Sequence, residues 1–472
     1  MASPSPSTGR RFAWLLALTL GAGALGCLAL NWPGQFSPDS VWQLQQGREG
    51  VFNTWHPPVM AWLLGRFDAL SPGAPGFIAF DAALGYGGLL AFGLLARPIR
   101  PGAALVASGL GLSPLMLIYQ GDVWKDVLFA DASLAGFAAL AWAARLWRRP
   151  WARAALIGAA FAGFGLAALA RQNGAVVPIC GAAGLGVIAW RAERDGPRRL
   201  AAALGHALIA LAGCAALAGA AEAALLAHGD GEPAAAQQLE WLQAWDLAGA
   251  VRAEPGLGLA VLSARAPAAA AFLRGEAAPV WRPQRIDPLI GLGGADQALD
   301  DTGPTIARQW LDLILDHPLL YARVRLADFA QLVAAPDLMA CRPLFLGLDG
   351  PAPVVQALGL TPPGPIRLRL GRAYGLAFTH SPVFSHLAYA ALAVILAVLA
   401  WRVGAPEDPA VLAMLAAAAG FALSFLVAGV ACDYRYLYFP DLAVMAALLH
   451  RAAAGWPRTV VQLSRERARK TR

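Results

Sequence analysis

The chain begins with the apolar run "FAWLLALTLGAGALGCLALN" (Phe12–Asn31), which the polar stretch "GQFSPDSVWQLQQGREGVFNTWHPPVMAWLL" (Gly34–Leu64) follows almost at once. An apolar run of about 20 residues is long enough to cross the hydrocarbon layer of a bilayer as a helix. Two arginines precede it, and it is too long for the apolar part of a typical signal peptide. The sequence therefore predicts an uncleaved signal anchor, with the polar stretch at the membrane surface beyond it.

The composition extends this interpretation to the whole chain. Of 472 residues, 58% are hydrophobic and only 14% are charged, whereas soluble domains carry about 25% charged residues. Further apolar windows recur along the chain, so we expect an all-α polytopic membrane protein with about ten transmembrane helices. The predicted spans lie near 12–31, 76–96, 102–119, 127–145, 152–170, 174–190, 201–227, 384–401, 409–430 and 437–451.

The arginines predict the orientation. If the first span runs from inside to outside, most of them fall on the inner side, which is the distribution that the positive-inside rule describes. The net charge of +7 then reflects topology, and no nucleic-acid partner is expected. Both termini are predicted to be cytoplasmic, in a bacterial inner (plasma) membrane.

The same count divides the chain into three parts. Residues 1–228 form an N-terminal membrane module, with a first outer loop at 32–75 that contains juxtamembrane helices. Residues 229–382 are less apolar and are predicted to be a mainly helical extracytoplasmic region, and residues 383–472 are C-terminal membrane helices with a basic cytoplasmic tail. The cysteines lack CxxC spacing, so neither a disulfide framework nor a zinc site is expected; they are Cys27, Cys180, Cys214, Cys341 and Cys432.

The polar motifs fall almost entirely on the predicted outer side. They are "SPDSVWQ" and "HPP" in the first loop, "QGDVWKD" after the third span, "RQNG" after the fifth and "CDYRYLYFP" after the ninth. The predicted inner loops contain arginines without a comparable mixture of acids, amides and aromatic residues. A chemical site is therefore expected at the outer boundary of the membrane.

Two first-loop residues each allow two interpretations. Ser37 and Pro38 have the pattern of an N-cap followed by proline at the first helical position, so Asp39 is either a capping acid or a general base. His56 precedes two prolines that start a helix too short to span the membrane. It either holds the loop or contacts a substrate.

Three cationic residues lie at the outer ends of spans. Lys125, one of two lysines in the chain, is flanked by acids, so it either pairs locally or binds a phosphate. Arg171 and Arg435 either extend to the headgroups or form a phosphate pocket with Lys125.

These motifs, in this order, resemble the GT-C superfamily of integral-membrane glycosyltransferases, which includes protein O-mannosyltransferases and lipid A aminoarabinose transferases. The resemblance implies transfer of a sugar from a polyprenyl-phosphate-linked donor, at the membrane lipid surface, to a glycan, lipid or protein acceptor on the extracytoplasmic face. It implies that Asp39 is the catalytic base and that Lys125, Arg171 and Arg435 hold the donor phosphate. The neighbouring residues predicted to contact substrate are His56, Asp122, Asp126, Asn173, Tyr434 and Tyr436.

The resemblance leaves the metal open. Asp39 is followed by Ser40, where many relatives have two adjacent acids, so no cofactor is certain and a divalent metal would take Asp122 or Asp126 as its second carboxylate. The alternative function is a transporter or flippase of a lipid-linked or anionic solute. Charges gathered at one face and halves that do not resemble each other favour interfacial chemistry over transport.

Overall fold

A computed structural model describes residues 6–193, 196–229, 234–300, 302–335, 340–341 and 344–456. Within these ranges the chain is helical and forms no β-strand. The predicted basic tail lies outside the described residues. The helices are α1 (Pro6–Asn31), α2 (Pro38–Glu49), α3 (Pro58–Leu70), α4 (Pro75–Leu94), α5 (Gly102–Gly111), α6 (Pro114–Leu117), α7 (Lys125–Arg145), α8 (Pro150–Ala170), α9 (Val176–Ala192), α10 (Gly196–Leu226), α11 (Ala234–Ala253), α12 (Ala260–Arg265), α13 (Pro267–Phe272), α14 (Ala278–Val280), α15 (Asp287–Ile290), α16 (Ala295–Leu299), α17 (Gly303–Asp316), α18 (Pro318–Ala334), α19 (Ala352–Ala357), α20 (Pro365–Ala377), α21 (His386–Val403), α22 (Asp408–Ala428) and α23 (Tyr438–Ala454).

The apolar helices confirm a polytopic membrane protein. Within the described residues, seven helices are long and apolar enough to cross a bilayer, namely α1, α4, α7, α8, α10, α21 and α22. An eighth crossing is possible where α5 and the segment Pro114–Gly121 meet at a bend of 58°. The predicted spans at 174–190 and 437–451 correspond to α9 and α23, which have only 17 residues each. The count of ten therefore stays a prediction.

The first loop folds into two crossing helices, α2 and α3, called the α2–α3 pair below. Both helices begin with proline at the first turn, as the sequence predicts, because a fixed φ and a missing N–H suit that position. They cross at Gly47 and Gly65, where a Cβ on Gly65 would lie 2.2 Å from the Gly47 carbonyl oxygen. Arg48 links the two helices through two 2.8 Å hydrogen bonds to the Asp68 carboxylate. Both helices therefore start at the same end of a fixed unit.

The region after α10 has its own core, built around Trp245, Trp281 and Leu273. The predicted helical stretch Pro304–Ala334 forms two helices, α17 and α18, because Pro318 has no backbone N–H to continue the first one. These helices confirm the expected mainly helical region, whereas its boundaries at 229 and 382 stay a prediction.

A buried arginine joins this region to the membrane helices. Arg325 contacts Asp246 at 2.8 Å and Asp328 at 3.2 Å. It also donates from Nε to the Leu426 carbonyl at 3.2 Å, near the end of α22. The carbonyls at a helix C-terminus attract cations, so Arg325 holds the region against the end of α22.

The loop between α22 and α23 is held from two sides. Ile286 N–H donates to the Val430 carbonyl at 2.9 Å, and Cys432 N–H donates to the Gln284 carbonyl at 2.8 Å. Cys432 is also disulfide-bonded to Cys341, 91 residues away in the sequence. The expectation of no disulfide was therefore wrong for this pair, since spacing along the chain does not reveal a contact between such distant segments.

Candidate functional site

Asp39 lies in the first turn of α2, after the N-cap residue Ser37 and Pro38, as predicted. The Ser37 hydroxyl accepts a 3.0 Å hydrogen bond from the Trp124 indole, which ties the start of α2 to the start of α7. The Asp39 side chain is 34% exposed and its Oδ2 lies 2.9 Å from Nη2 of Arg435, 396 residues away in the sequence. Its main partner is therefore a distant cation.

His56 lies between Asp39 and Lys125. Its Nε2 is 3.8 Å from Asp39 Oδ1, and its Nδ1 is 2.7 Å from the Lys125 ammonium nitrogen. A lysine ammonium can only donate, so Nδ1 accepts and the ring proton of the neutral histidine is on Nε2, facing Asp39. The local ion pair considered for Lys125 does not form, because its ammonium has no carboxylate at ion-pair distance among the described residues.

Arg171, directly after α8, contacts the Asp126 carboxylate. Its guanidinium carbon lies 5.2 Å from the centroid of the Tyr436 ring and 5.4 Å from that of Phe425. Its Nε donates to the Asn173 side-chain oxygen at 3.4 Å. With only 11% of its side chain exposed, Arg171 packs into the cluster and does not extend to the headgroups.

Arg435, in the 3-10 turn before α23, is the shared partner of three carboxylates. Beside Asp39, its Nη2 lies 3.4 Å from Asp433 Oδ2 and its Nε lies 3.9 Å from Asp126 Oδ2. The guanidinium carbon also lies 4.9 Å from the centroid of the Trp124 ring, a cation–π distance. Segments separated by most of the chain therefore meet at this one side chain.

Most charges of the cluster are paired. The cations Lys125, Arg171 and Arg435 come together as predicted, but Arg171 and Arg435 are matched by carboxylates. These are Asp39, Asp126 and Asp433, of which Asp433 also pairs with Arg285. The expected cationic pocket is thus a mixed cluster, in which an incoming anion would pair with Lys125 or take Arg435 from Asp39.

The other predicted contact residues divide into two groups. Tyr436 stacks on Phe425 with centroids 5.4 Å apart and lies beside both guanidinium groups, so it belongs to the cluster. Tyr434 does not contribute its hydroxyl there. That hydroxyl donates to Asp441 at 2.7 Å, and the ring stacks on His386 with centroids 3.9 Å apart.

Asp122 is fully buried beneath the cluster. Its carboxylate oxygens accept no hydrogen bond from any residue that the structure describes. Burial raises the pKa of Asp122 well above its usual value, and the Arg435 charge only partly opposes this. The neutral acid is therefore favoured over the carboxylate, and in that form Asp122 can donate a hydrogen bond but cannot pair with a cation.

The pKa values of the two first-loop residues move in the same direction for different reasons. Burial acts to raise the pKa of Asp39, but the charge of Arg435, with His56 and Lys125, lowers it well below its usual value. Burial and then the Lys125 charge lower the pKa of His56 against the opposing effect of Asp39. Asp39 is therefore ionised and His56 neutral at neutral pH.

Sequence reasoning missed a second polar cluster inside the membrane helices. Asp131 in α7 accepts a 2.8 Å hydrogen bond from Gln120, and the same amide lies 3.0 Å from the Tyr438 hydroxyl. Asp81 in α4 is buried, and its carboxylate accepts no hydrogen bond within the described ranges. The signal was available, because acids within apolar windows are rare and functional by default.

The residues around Asp39 do not suit a divalent metal. Within the described ranges, no three His, Cys, Asp or Glu side chains are grouped so that they could hold an ion. The two acids considered for a second ligand are not free to act, since Asp126 pairs with Arg171 and Asp122 is fully buried. We therefore derive no step through a metal.

No family model and no curated protein matches the chain. Two solved structures from Archaeoglobus fulgidus are similar. One is the archaeal oligosaccharyltransferase AglB in complex with an inhibitory peptide and a dolichol-phosphate, with 16% sequence identity and a TM-score of 0.40 over 92% of this chain and 50% of that one. The other is an oligosaccharyltransferase in complex with Zn and sulfate, with 14% identity and a TM-score of 0.40 over 91% and 48%.

This chain thus spans about half the length of the two matched proteins. Both are oligosaccharyltransferases. The likeness is distant, and it gives no residue of this chain a role.

Proposed function

We propose that this protein transfers a sugar from a polyprenyl-phosphate-linked donor to a hydroxyl group of a glycan, lipid or protein acceptor. The observation that carries the proposal is the meeting of Asp39, Lys125, Arg171 and Arg435, which come from four separate segments at the ends of membrane helices. A carboxylate beside several cations at a membrane boundary suits a reaction in which a hydroxyl loses a proton while a lipid phosphate leaves.

The reaction is a single displacement. The acceptor oxygen attacks the anomeric carbon of the sugar, its proton passes to the Asp39 carboxylate, and the bond from that carbon to the phosphate oxygen breaks. The electron pair of that bond leaves with the polyprenyl phosphate, where Lys125 and Arg435 stabilise the added negative charge. His56 would orient Asp39 through its Nε2 proton. Attack opposite to the leaving phosphate predicts inversion at the anomeric carbon.

The ion pair between Asp39 and Arg435 suggests how the base is activated. A carboxylate whose pKa is held low by a guanidinium is a weak proton acceptor. A donor phosphate that pairs with Arg435 would remove most of that cationic influence and leave the effect of burial, which acts in the opposite direction. Donor binding would thus strengthen Asp39 as a base at the moment it is needed.

The extracytoplasmic orientation has two supports. The distribution of arginines favours it. In addition, the Cys341–Cys432 disulfide lies next to the loop that carries Arg435, and disulfides persist in oxidising compartments outside the bacterial cytoplasm. We accordingly place the site on the outer face of a bacterial plasma membrane.

Transport of an anionic or lipid-linked solute is the second candidate. The acids Asp81 and Asp131, buried in α4 and α7, are of the kind that lines pathways in transporters. An assay in detergent separates the two functions, because detergent removes compartments and a transporter alone would leave a sugar donor unchanged.

The test of the proposal is Asp39→Asn. Transfer of labelled sugar from a polyprenyl-phosphate donor, in a detergent extract of membranes that supplies the acceptor, should fall by at least about a hundredfold, which is the usual contribution of a general base. Asparagine preserves the size of the side chain but cannot take the proton.

The matched control is Glu49→Gln, which removes an exposed first-loop acid at the other end of the same helix, α2. It should retain nearly full activity. Asp39→Asn protein that is folded by size exclusion and still transfers sugar within a few-fold of wild type would rule out Asp39 as the base.

A further inference from the structure

A cavity separate from the charge cluster opens between the α2–α3 pair and the end of α10. Its volume is about 570 Å³, within the usual range of ligand sites. The walls include Phe52, Trp62 and Leu225, and its polar lining is supplied by Arg48, Arg66 and His228. The Phe52 N–H donates to the His228 carbonyl at 3.1 Å, which joins the connection between α2 and α3 to the end of α10.

The charge of the lining is positive. None of the described residues that line the cavity is acidic. The charge of Arg48 is matched by Asp68, which is not among the lining residues. Arg66 is exposed, lies 5.6 Å from the centroid of the Trp62 ring, and has no carboxylate partner at ion-pair distance in the described part of the chain. An anion would therefore be bound chiefly by Arg66, whose planar guanidinium suits phosphate oxygens.

The protein surface next to the cavity suits a lipid. Helix α10 is long, apolar and almost uncovered by the rest of the protein, so its surface is available to acyl chains up to the edge of the cavity. A soluble anion would make no use of the aromatic and aliphatic walls. The lining combines what an anionic lipid needs, a cation for the phosphate and apolar side chains for the acyl chains.

We infer that this cavity binds the phosphate headgroup of an anionic phospholipid, with Arg66 as the main contact and the acyl chains along α10. The site is distinct from the proposed donor site and does not depend on sugar transfer.

The experiment uses the purified full chain in a zwitterionic detergent, with short-chain phosphatidylglycerol as the probe and phosphatidylcholine of equal chain length as the reference. Phosphatidylglycerol should raise the Tm of the wild-type protein with saturation, because a ligand that binds only the folded state stabilises it. Arg66→Gln should weaken the apparent affinity at least about tenfold, since one charge-assisted contact is lost. Arg66→Lys, which retains the charge, should preserve most of the effect.

Arg97→Gln is the matched control, because Arg97 is also exposed and lies 5.9 Å from the centroid of a tryptophan ring, that of Trp142, outside the cavity. It should bind phosphatidylglycerol as the wild type does. An equal Tm rise with phosphatidylcholine or inorganic phosphate would overturn the inference. So would a rise that Arg66→Gln retains and Lys125→Gln loses, because the phosphate would then occupy the charge cluster.

Discussion

At the scale of single residues, the chemistry of the site depends on which carboxylate Arg435 pairs with. In the structure it is shared by Asp39, Asp126 and Asp433, at 2.9, 3.9 and 3.4 Å. The sequence predicted the cations but not their carboxylate partners, because acids on α7 and in the loop before α23 become partners only after folding. Removing one partner of such a buried group leaves the other unpaired, so each residue influences the ionisation of its neighbours.

The pH dependence of the reaction should report this sharing. Below the pKa of Asp39 the carboxyl is protonated and cannot accept a proton, so the rate falls as pH falls. In the free enzyme Arg435 holds that pKa well below its usual value, and a bound donor phosphate should let it rise. We expect the acidic limb of kcat, which reports the complex, at higher pH than that of kcat/KM, which reports the free enzyme.

The variant Arg435→Gln provides the control, because it removes the charge that lowers the pKa without removing Asp39. Its kcat/KM limb should shift to higher pH, whatever the loss in absolute rate. Wild-type limbs that coincide, or an unchanged limb in the variant, would contradict the exchange of Arg435 between carboxylate and phosphate.

At the scale of elements, the α2–α3 pair sets the distance between Asp39 and His56. Motifs in the sequence predicted where both helices begin, since Pro38 and Pro58 mark first turns. Nothing in the pattern indicated that the helices cross at Gly47 and Gly65, because a glycine within a helix can equally lie where no other segment contacts it. The close approach required by the crossing is visible only in three dimensions.

Gly65→Ala should therefore disturb the packing of α2 against α3. The new methyl group would lie 2.2 Å from the Gly47 carbonyl oxygen, so the helices must separate, at a cost of about 1–3 kcal/mol. We expect a lower Tm and reduced sugar transfer. Gly158→Ala in α8 is the control, since nothing lies within 4 Å of its added Cβ, and it should be neutral or slightly stabilising. A Gly65→Ala protein as stable as Gly158→Ala would show that the crossing is looser than the structure has it.

At the scale of the whole molecule, hydropathy predicted the seven described helices that are long and apolar enough to cross a bilayer, but not the junctions between parts. Each span is encoded in a continuous window, whereas the contact of Arg325 with the end of α22 and the pairing of Cys341 with Cys432 join residues about a hundred positions apart. The order of motifs indicated one face of the membrane as the site. It did not indicate that the region after α10 holds the Arg435 loop in place.

That last role predicts a loss of activity on reduction. The disulfide, the Cys432 N–H bond to Gln284 and the Tyr434 N–H bond to the Cys341 carbonyl at 3.1 Å together restrain the loop just before Arg435. Breaking the disulfide should let the guanidinium move, and small displacements of positioning groups cost up to about a hundredfold in rate. Wild-type protein treated with reductant in detergent should therefore transfer sugar about tenfold more slowly or worse, with unchanged inversion.

The double variant Cys341→Ser/Cys432→Ser separates this effect from others. It should match the reduced wild type and lose no further activity on reduction, whereas the unpaired Cys27, Cys180 and Cys214 remain in both proteins. Alkylation in isolated membranes supplies an independent measurement, because residues 341 and 432 should react only after reduction if their side of the membrane faces the oxidising compartment. Free thiols at both positions before reduction would show that the disulfide does not form in the membrane, and would remove one of the two supports for an extracytoplasmic site.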